Sequence, residues 1–122
     1  MDKNVILIID DDHDFRYSLR MILENGGFQV EEAPSAEDGL RRFKAVHPDL
    51  VIVDLMMEEI DSGTNFVKEL KAIGAAVPIF MLSSVGDQMN QMTSDADIGL
   101  AGVLQKPVEP GNLLETLRKR LG

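Results

Sequence analysis

The 122 residues predict an α/β fold: one domain, a single doubly wound (βα)5 unit whose parallel sheet carries helices on both faces. Three observations carry that reading. Five short apolar runs recur along the chain, and the segments between them switch to a helical period. The central run, Leu50-Val51-Ile52-Val53, is continuous and rich in β-branched residues, as suits a strand buried on both faces. Polar residues collect directly after the runs, where an open α/β sheet presents its ligand-binding edge.

In chain order, Val5 to Ile9 is the first strand and ends in Asp10-Asp11-Asp12. Phe15, Leu19, Ile22 and Leu23 fall at i, i+4, i+7 and i+8, which predicts an amphipathic helix from Asp14. Asp12 or Asp14 caps its start, and Gly26-Gly27 supplies its stop. Phe28 to Ala33 reads as a second, short strand. Ser35-Ala36-Glu37-Asp38 is a capping-box pattern that opens a helix with Ala36, Leu40 and Phe43 on one face. His47-Pro48 ends that helix.

After the central strand, Glu58 to Gly63 reads as a polar loop, and Phe66, Leu70 and Ile73 mark a third helix closed by Gly74. Pro78 to Ser83 is the fourth strand, ending in the hydroxyls of Ser83 and Ser84. Met89, Met92 and Ala96 indicate a fourth helix between Gly86 and Asp97, which the surrounding Asn, Ser, Thr and Asp make marginal. Gly102 to Gln105 is the fifth strand, followed at once by Lys106-Pro107. The last helix starts at Pro110 with Leu113, Leu114, Leu117 and Leu121 inward. His13 and His47 read as solvated, and Tyr17 lies off the apolar face of the first helix. The methionines read as core gap fillers.

No linker, internal repeat or low-complexity stretch divides residues 1–122. Hydrophobic residues make up 44% and charged residues 27%, the balance of a globular domain. With no Cys there is neither a disulfide framework nor a thiolate metal site. Neither a signal peptide nor a membrane-length apolar run is present, so the expected location is cytoplasmic. A net charge of −9 argues against direct nucleic-acid binding, which needs a basic footprint.

In the predicted fold every strand's carboxyl end lies on one edge. That edge gathers Asp10 and Asp11 from the first strand, Asp54 from the third, Ser83 from the fourth and Lys106 from the fifth. The second strand, ending near Ala33-Pro34, contributes nothing polar to it. Three adjacent carboxylates repel one another unless a cation joins them or their pKa values rise. Hard oxygen ligands without Cys or His support suit Mg²⁺. A carboxylate can also serve as a nucleophile and form an aspartyl-phosphate. The metal, a lysine and a hydroxyl donor would then neutralise the phosphoryl oxygens.

On these motifs the chain resembles the receiver domains of two-component response regulators, over essentially its whole length. The motifs are Ile8-Ile9-Asp10-Asp11-Asp12, Val53-Asp54-Leu55-Met56-Met57, Met81-Leu82-Ser83-Ser84 and Lys106-Pro107. The resemblance implies a flavodoxin-like three-layer sandwich. It implies Asp54 as phosphoacceptor, and Mg²⁺ held by Asp10, Asp11, Asp54 and the backbone carbonyl of Met56. Ser83 would move to the phosphoryl group, with Ser84 beside it, and Lys106 would bond it. A cis bond before Pro107 would aim Lys106. The implied donor is a phosphohistidine on a sensor histidine kinase or phosphotransfer protein. The output would pass to a downstream protein or a linked effector through the surface of the fourth helix, fifth strand and last helix. The family also allows a phosphorylation-dependent dimer.

This chain departs from the family pattern at three places. Glu58 stands where many receivers have Pro, the Gly of the following loop comes one residue late at Gly63, and Val103 replaces the switch aromatic. By the same resemblance Met56 and Val85 would flank the path of the hydrolytic water; neither can orient water, so a long-lived phosphoryl group is expected.

Other functions share parts of this pattern. An aspartate-nucleophile phosphatase would need a second, late acidic pair and room for a cap domain, and the chain offers neither. A flavodoxin-like electron carrier would need a Ser/Thr/Gly-rich phosphate loop after the first strand, where Asp10-Asp11-Asp12 would repel a phosphate. A phosphorylation-independent adaptor would be expected to have lost part of the acidic site. The chain is therefore expected to act as a switch with self-catalysed phosphoryl transfer and slow loss, not as a turnover enzyme. No effector follows the last helix, which fits a stand-alone receiver or the first domain of a longer regulator.

Overall fold

The computed structural model describes residues 3–54, 62–74, 76–84 and 100–121. Five strands form one sheet: β1 (Val5–Ile9), β2 (Gln29–Ala33), β3 (Leu50–Asp54), β4 (Ile79–Ser83) and β5 (Gly102–Gln105). All neighbours pair in parallel, in the order β2-β1-β3-β4-β5. The described helices are α1 (His13–Asn25), α2 (Ala36–Val46), α3 (Ser62–Ala72) and α4 (Pro110–Leu121). The expected helix between Gly86 and Asp97, the loop from Glu58 to Asp61, and Met56 and Val85 lie outside the described residues.

Strand alternation divides the core into two layers. Leu7, Ile9, Val51, Val53, Ile79 and Met81 face one side, where Phe66, Val67 and Leu70 of α3 and Leu40 and Phe43 of α2 cover them. Ile6, Ile8, Leu50, Ile52, Phe80 and Leu82 face the other, covered by Leu19 and Leu23 of α1 and Leu113 and Leu117 of α4. β1, β3 and β4 are thus sandwiched by helices, which is why their sequences are continuous apolar runs rather than alternating ones. Both layers are needed for that burial, and together with the sheet they make the expected three-layer sandwich.

The helix ends follow local chemistry. Asp12 caps α1, its carboxylate accepting from the N–H groups of Asp14 at 3.0 Å and Phe15 at 3.2 Å. The helix therefore begins at His13, one residue before the position expected from the apolar period. Ser35 caps α2 by accepting from the Asp38 N–H at 3.2 Å. His47 closes α2 in the left-handed region at φ 49°, with Pro48 following. Gly74 takes φ 82° beyond α3, a conformation that favours glycine.

Two expectations about α3 are corrected. The helix starts at Ser62, so Ser62 and Gly63 belong to it and not to the polar loop. Burial of Phe66, Val67 and Leu70 against the sheet carries the helix back through residues of poor intrinsic propensity. Ile73 is not an inward anchor: it lies past the helix end and is half exposed, and Val67 takes the buried place instead.

Gly39 sets how closely α2 approaches the end of β1. A Cβ there would lie 2.6 Å from Ile9 Cδ1, 2.9 Å from Ile9 Cγ1 and 3.2 Å from Phe66 Cε1. Ile9 immediately precedes Asp10, so this contact supports the acidic edge from beneath. Gly39→Val is expected to lower unfolding free energy by about 1–3 kcal/mol, the usual cost of overpacking a core. Urea denaturation measures it, and an unchanged midpoint would show that α2 can retreat freely.

Candidate functional site

The site grows out of the strand alternation. Asp10 continues the register of Ile6 and Ile8, Asp54 that of Leu50 and Ile52, and Lys106 that of Leu104. All three therefore lie toward the α1 side of the carboxyl edge. Asp10 and Asp54 flank the crevice between β1 and β3, where the strand order reverses, and Lys106 reaches it from the end of β5. Ser83 ends β4 on the alternate register, with Ile79 and Met81.

Asp10 is wholly buried, Asp54 is 5% exposed and Ser83 is 3% exposed, whereas Asp11 faces solvent. Ligand oxygens of Asp10, Asp11 and Asp54 all lie within 4.8 Å of one another. The donor set is oxygen only, and two of its three members are buried carboxylates, which fits a small hard cation. Asp12 adjoins the cluster in sequence but spends its carboxylate on the start of α1.

Lys106 bridges the buried acids. Its Nζ donates to Asp10 Oδ2 at 3.2 Å and lies 3.5 Å from Asp54 Oδ2. On its other side the ammonium sits 4.4 Å from the centroid of the Phe15 ring, a cation–π contact. Burial would push its pKa down, but the charges of Asp10 and then Asp54, with their hydrogen bonds, outweigh that and hold it above the ordinary 10.5. Lys106 is therefore a fixed cation at any physiological pH. The Lys106–Pro107 peptide is cis, and the Lys106 N–H donates to the Ser83 carbonyl at 2.8 Å, tying β5 to the end of β4. Ser83 Oγ lies 3.5 Å from the Ser84 carbonyl, and Ser84 is exposed. Val103 is 36% exposed on β5. Met56 lies outside the described residues.

The second strand places no carboxylate in the cluster of Asp10, Asp11 and Asp54, but it braces that cluster through α1. Glu32 on β2 accepts from Arg16 Nε at 3.0 Å and also from Arg20, both on α1. Arg16 Nη1 in turn donates to the Asp10 carbonyl at 2.6 Å. Burial alone would raise the Glu32 carboxyl, but hydrogen bonds from Arg20 and then Arg16 outweigh it and hold the pKa below the ordinary 4.5. A depressed carboxylate contributes stability that is present above its unfolded pKa and lost as pH falls through the folded one. Stability should therefore fall more steeply below pH 4.5 in wild type than in Glu32→Gln. Urea midpoints measured across that range test this, and parallel curves would mean that the pair contributes nothing.

These features define a doubly wound α/β domain with an acidic, lysine-bridged site at its topological switch point. The model of the response regulator receiver domain family matches residues 6–118. The chain is 36% identical to the chemotaxis protein CheY of Bacillus subtilis over 118 residues, covering 95% of this chain and 96% of that protein. It is also 36% identical to the probable transcriptional regulator ycf27 of Porphyridium aerugineum, covering 99% of this chain but 49% of that protein. The chain thus spans about half the length of some curated relatives and nearly all of another. Among solved structures, a response regulator receiver domain protein from Clostridium thermocellum superposes with a TM-score of 0.86 at 29% identity, covering 97% and 94% of the two chains. A CheY-like receiver domain protein from Methanospirillum hungatei gives 0.87 at 27% identity, covering 98% and 94%. The chain belongs to the response regulator receiver domain family, the phosphorylation-dependent switches of two-component signalling. Among the described residues no helix is long and apolar enough to cross a membrane.

Proposed function

We propose that this domain is a cytoplasmic switch that accepts a phosphoryl group on Asp54 from a phosphohistidine of a sensor kinase or phosphotransfer protein. The observation that carries the reading is the place of Asp54: at the end of the central strand, within 4.8 Å of the Asp10 and Asp11 carboxylates and 3.5 Å from Lys106. An Asp54 oxygen forms the bond to phosphorus as the P–N bond of the donor breaks, and the leaving imidazole keeps the electron pair and takes up a proton. Lys106 is already charged and fixed, so it meets the developing phosphoryl charge without reorganising. Ser83, at the end of the adjacent strand, offers a hydroxyl for a phosphoryl oxygen.

Asp10, Asp11 and Asp54 would hold Mg²⁺, with the Met56 carbonyl added by the family resemblance. When bound, the ion supplies positive charge that offsets the carboxylates and the incoming phosphoryl oxygens. The domain would signal rather than turn over substrate. Its output would pass through a surface that includes β5 and α4 to a downstream protein, a linked effector or a second copy.

Incubation with a small phosphodonor and Mg²⁺, followed by intact-mass analysis, tests the reading. One added phosphoryl group per chain is expected, and chelation of Mg²⁺ should abolish it. Repeated release of phosphate from a generic ester, with no covalent species, would overturn it in favour of a phosphatase.

A further inference from the structure

We propose that Arg16, held by Glu32, is a positioning residue for the acidic pair. Its guanidinium fixes the peptide that joins Asp10 to Asp11, and through it the two carboxylates that would take the metal. The proposal deepens the Mg²⁺ reading given above and rests on it for its consequence.

Three contacts define the device. The Asp10 N–H donates to the Ala33 carbonyl of β2 at 3.2 Å. The Asp10 carbonyl accepts from Arg16 Nη1 at 2.6 Å, and the same guanidinium donates through Nε to Glu32 at 3.0 Å. β2 thereby grips Asp10 at both of its backbone groups, directly through Ala33 and indirectly through Glu32 and Arg16. A peptide unit is planar, so fixing the Asp10 carbonyl fixes the orientation of the Asp11 N–H and the departure of the chain toward Asp11. The Arg16 side chain is 12% exposed, so the arrangement is not a loose surface pair. Only a guanidinium fork makes both bonds from one rigid plane.

The role is geometric, because the charge works the other way. A fixed cation beside a cation site repels the metal, so on charge alone loss of Arg16 would tighten Mg²⁺ binding. Loss of a positioning bond weakens it. The sign separates the two. Arg20 is a built-in control: it bonds the same Glu32, but its remaining partners are Glu24 and the Val30 carbonyl, not Asp10.

The test compares Arg16→Met, Arg16→Lys and Arg20→Met with wild type by Mg²⁺ titration, followed through the thermal midpoint, and by amide exchange of the metal-free proteins. Arg16→Met is expected to weaken Mg²⁺ binding about tenfold, the low end of the cost of losing an outer hydrogen-bond partner. Arg16→Lys keeps the charge, loses the fork and weakens it by a smaller factor, while Arg20→Met binds at least as well as wild type. Without metal, the Asp12 N–H, which donates to Asp10 Oδ1 at 2.9 Å, exchanges faster in Arg16→Met and at the wild-type rate in Arg20→Met. Unchanged or tighter Mg²⁺ binding in Arg16→Met, with the Asp12 N–H still protected, overturns the proposal. So does an equal loss in Arg16→Met and Arg20→Met, which would reduce the network to general support of the fold. Should Arg16→Met fail to fold, Arg16→Lys decides by the same two readouts. A wild type that binds no Mg²⁺ overturns the metal reading, and the exchange measurement then decides the positioning role alone.

Discussion

Asp54→Asn is expected to abolish stable phosphorylation. An amide carries no charge and is a far weaker nucleophile than a carboxylate, and the isosteric change leaves the end of β3 intact. Asp10 is a poor substitute acceptor, since its carboxylate is wholly buried and already engaged by the Asp12 N–H and Lys106. Asp11 is exposed but stands off the central strand. Intact mass after incubation with a phosphodonor and Mg²⁺ should show one phosphoryl group on wild type and none on the variant. Equal labelling of the two would move the acceptor elsewhere. Peptide mapping would then distinguish Asp11 from a residue outside the acidic edge.

The parts of this site that were legible in the sequence are those that interrupt a strong pattern. Asp10 and Asp54 each end a continuous apolar strand, and Lys106 follows one directly, so position along the strand and parity place all three on one edge. Asp12 was legible as one of two candidate caps, and its two hydrogen bonds settle the choice. Arg16 and Glu32 were not legible. An arginine in the first helical turns and a glutamate near the end of a short strand both look like solvated residues. That they meet depends on how α1 crosses over β2, a tertiary fact with no sequence period. Phe15 was read as a core residue of α1, and its ring does sit at the edge of the apolar layer. Its service as the floor beneath the Lys106 ammonium depends on where β5 ends, ninety residues further along the chain. The strand order likewise depends on which runs pair, and the runs are too alike in composition to tell.

Mg²⁺ binding is expected to depend on Asp11 and hardly at all on Asp12, although the two are chain neighbours of one charge. Asp11 contributes an oxygen to the cluster with Asp10 and Asp54, whereas Asp12 has turned its carboxylate to the first N–H groups of α1. Asn caps a helix about as well as Asp, so Asp12→Asn should leave both the helix and the acidic edge in place. Asp11→Asn removes one of three converging charges, which lowers the attraction for the cation and also relieves repulsion in the metal-free protein. Ligand linkage turns this into a stability measurement. At about one hundred times the wild-type dissociation constant, Mg²⁺ should stabilise wild type and Asp12→Asn by about 2.7 kcal/mol. A tenfold weaker Asp11→Asn would gain only about 1.4 kcal/mol at the same concentration. Without the metal, Asp11→Asn should be at least as stable as wild type, because the repulsion it relieves is present in every metal-free molecule. Urea denaturation at fixed Mg²⁺ reads all of these values. Equal Mg²⁺ stabilisation of Asp11→Asn and Asp12→Asn would mean that the ion sees only the summed charge of the acidic run, and the assignment of ligands would fall.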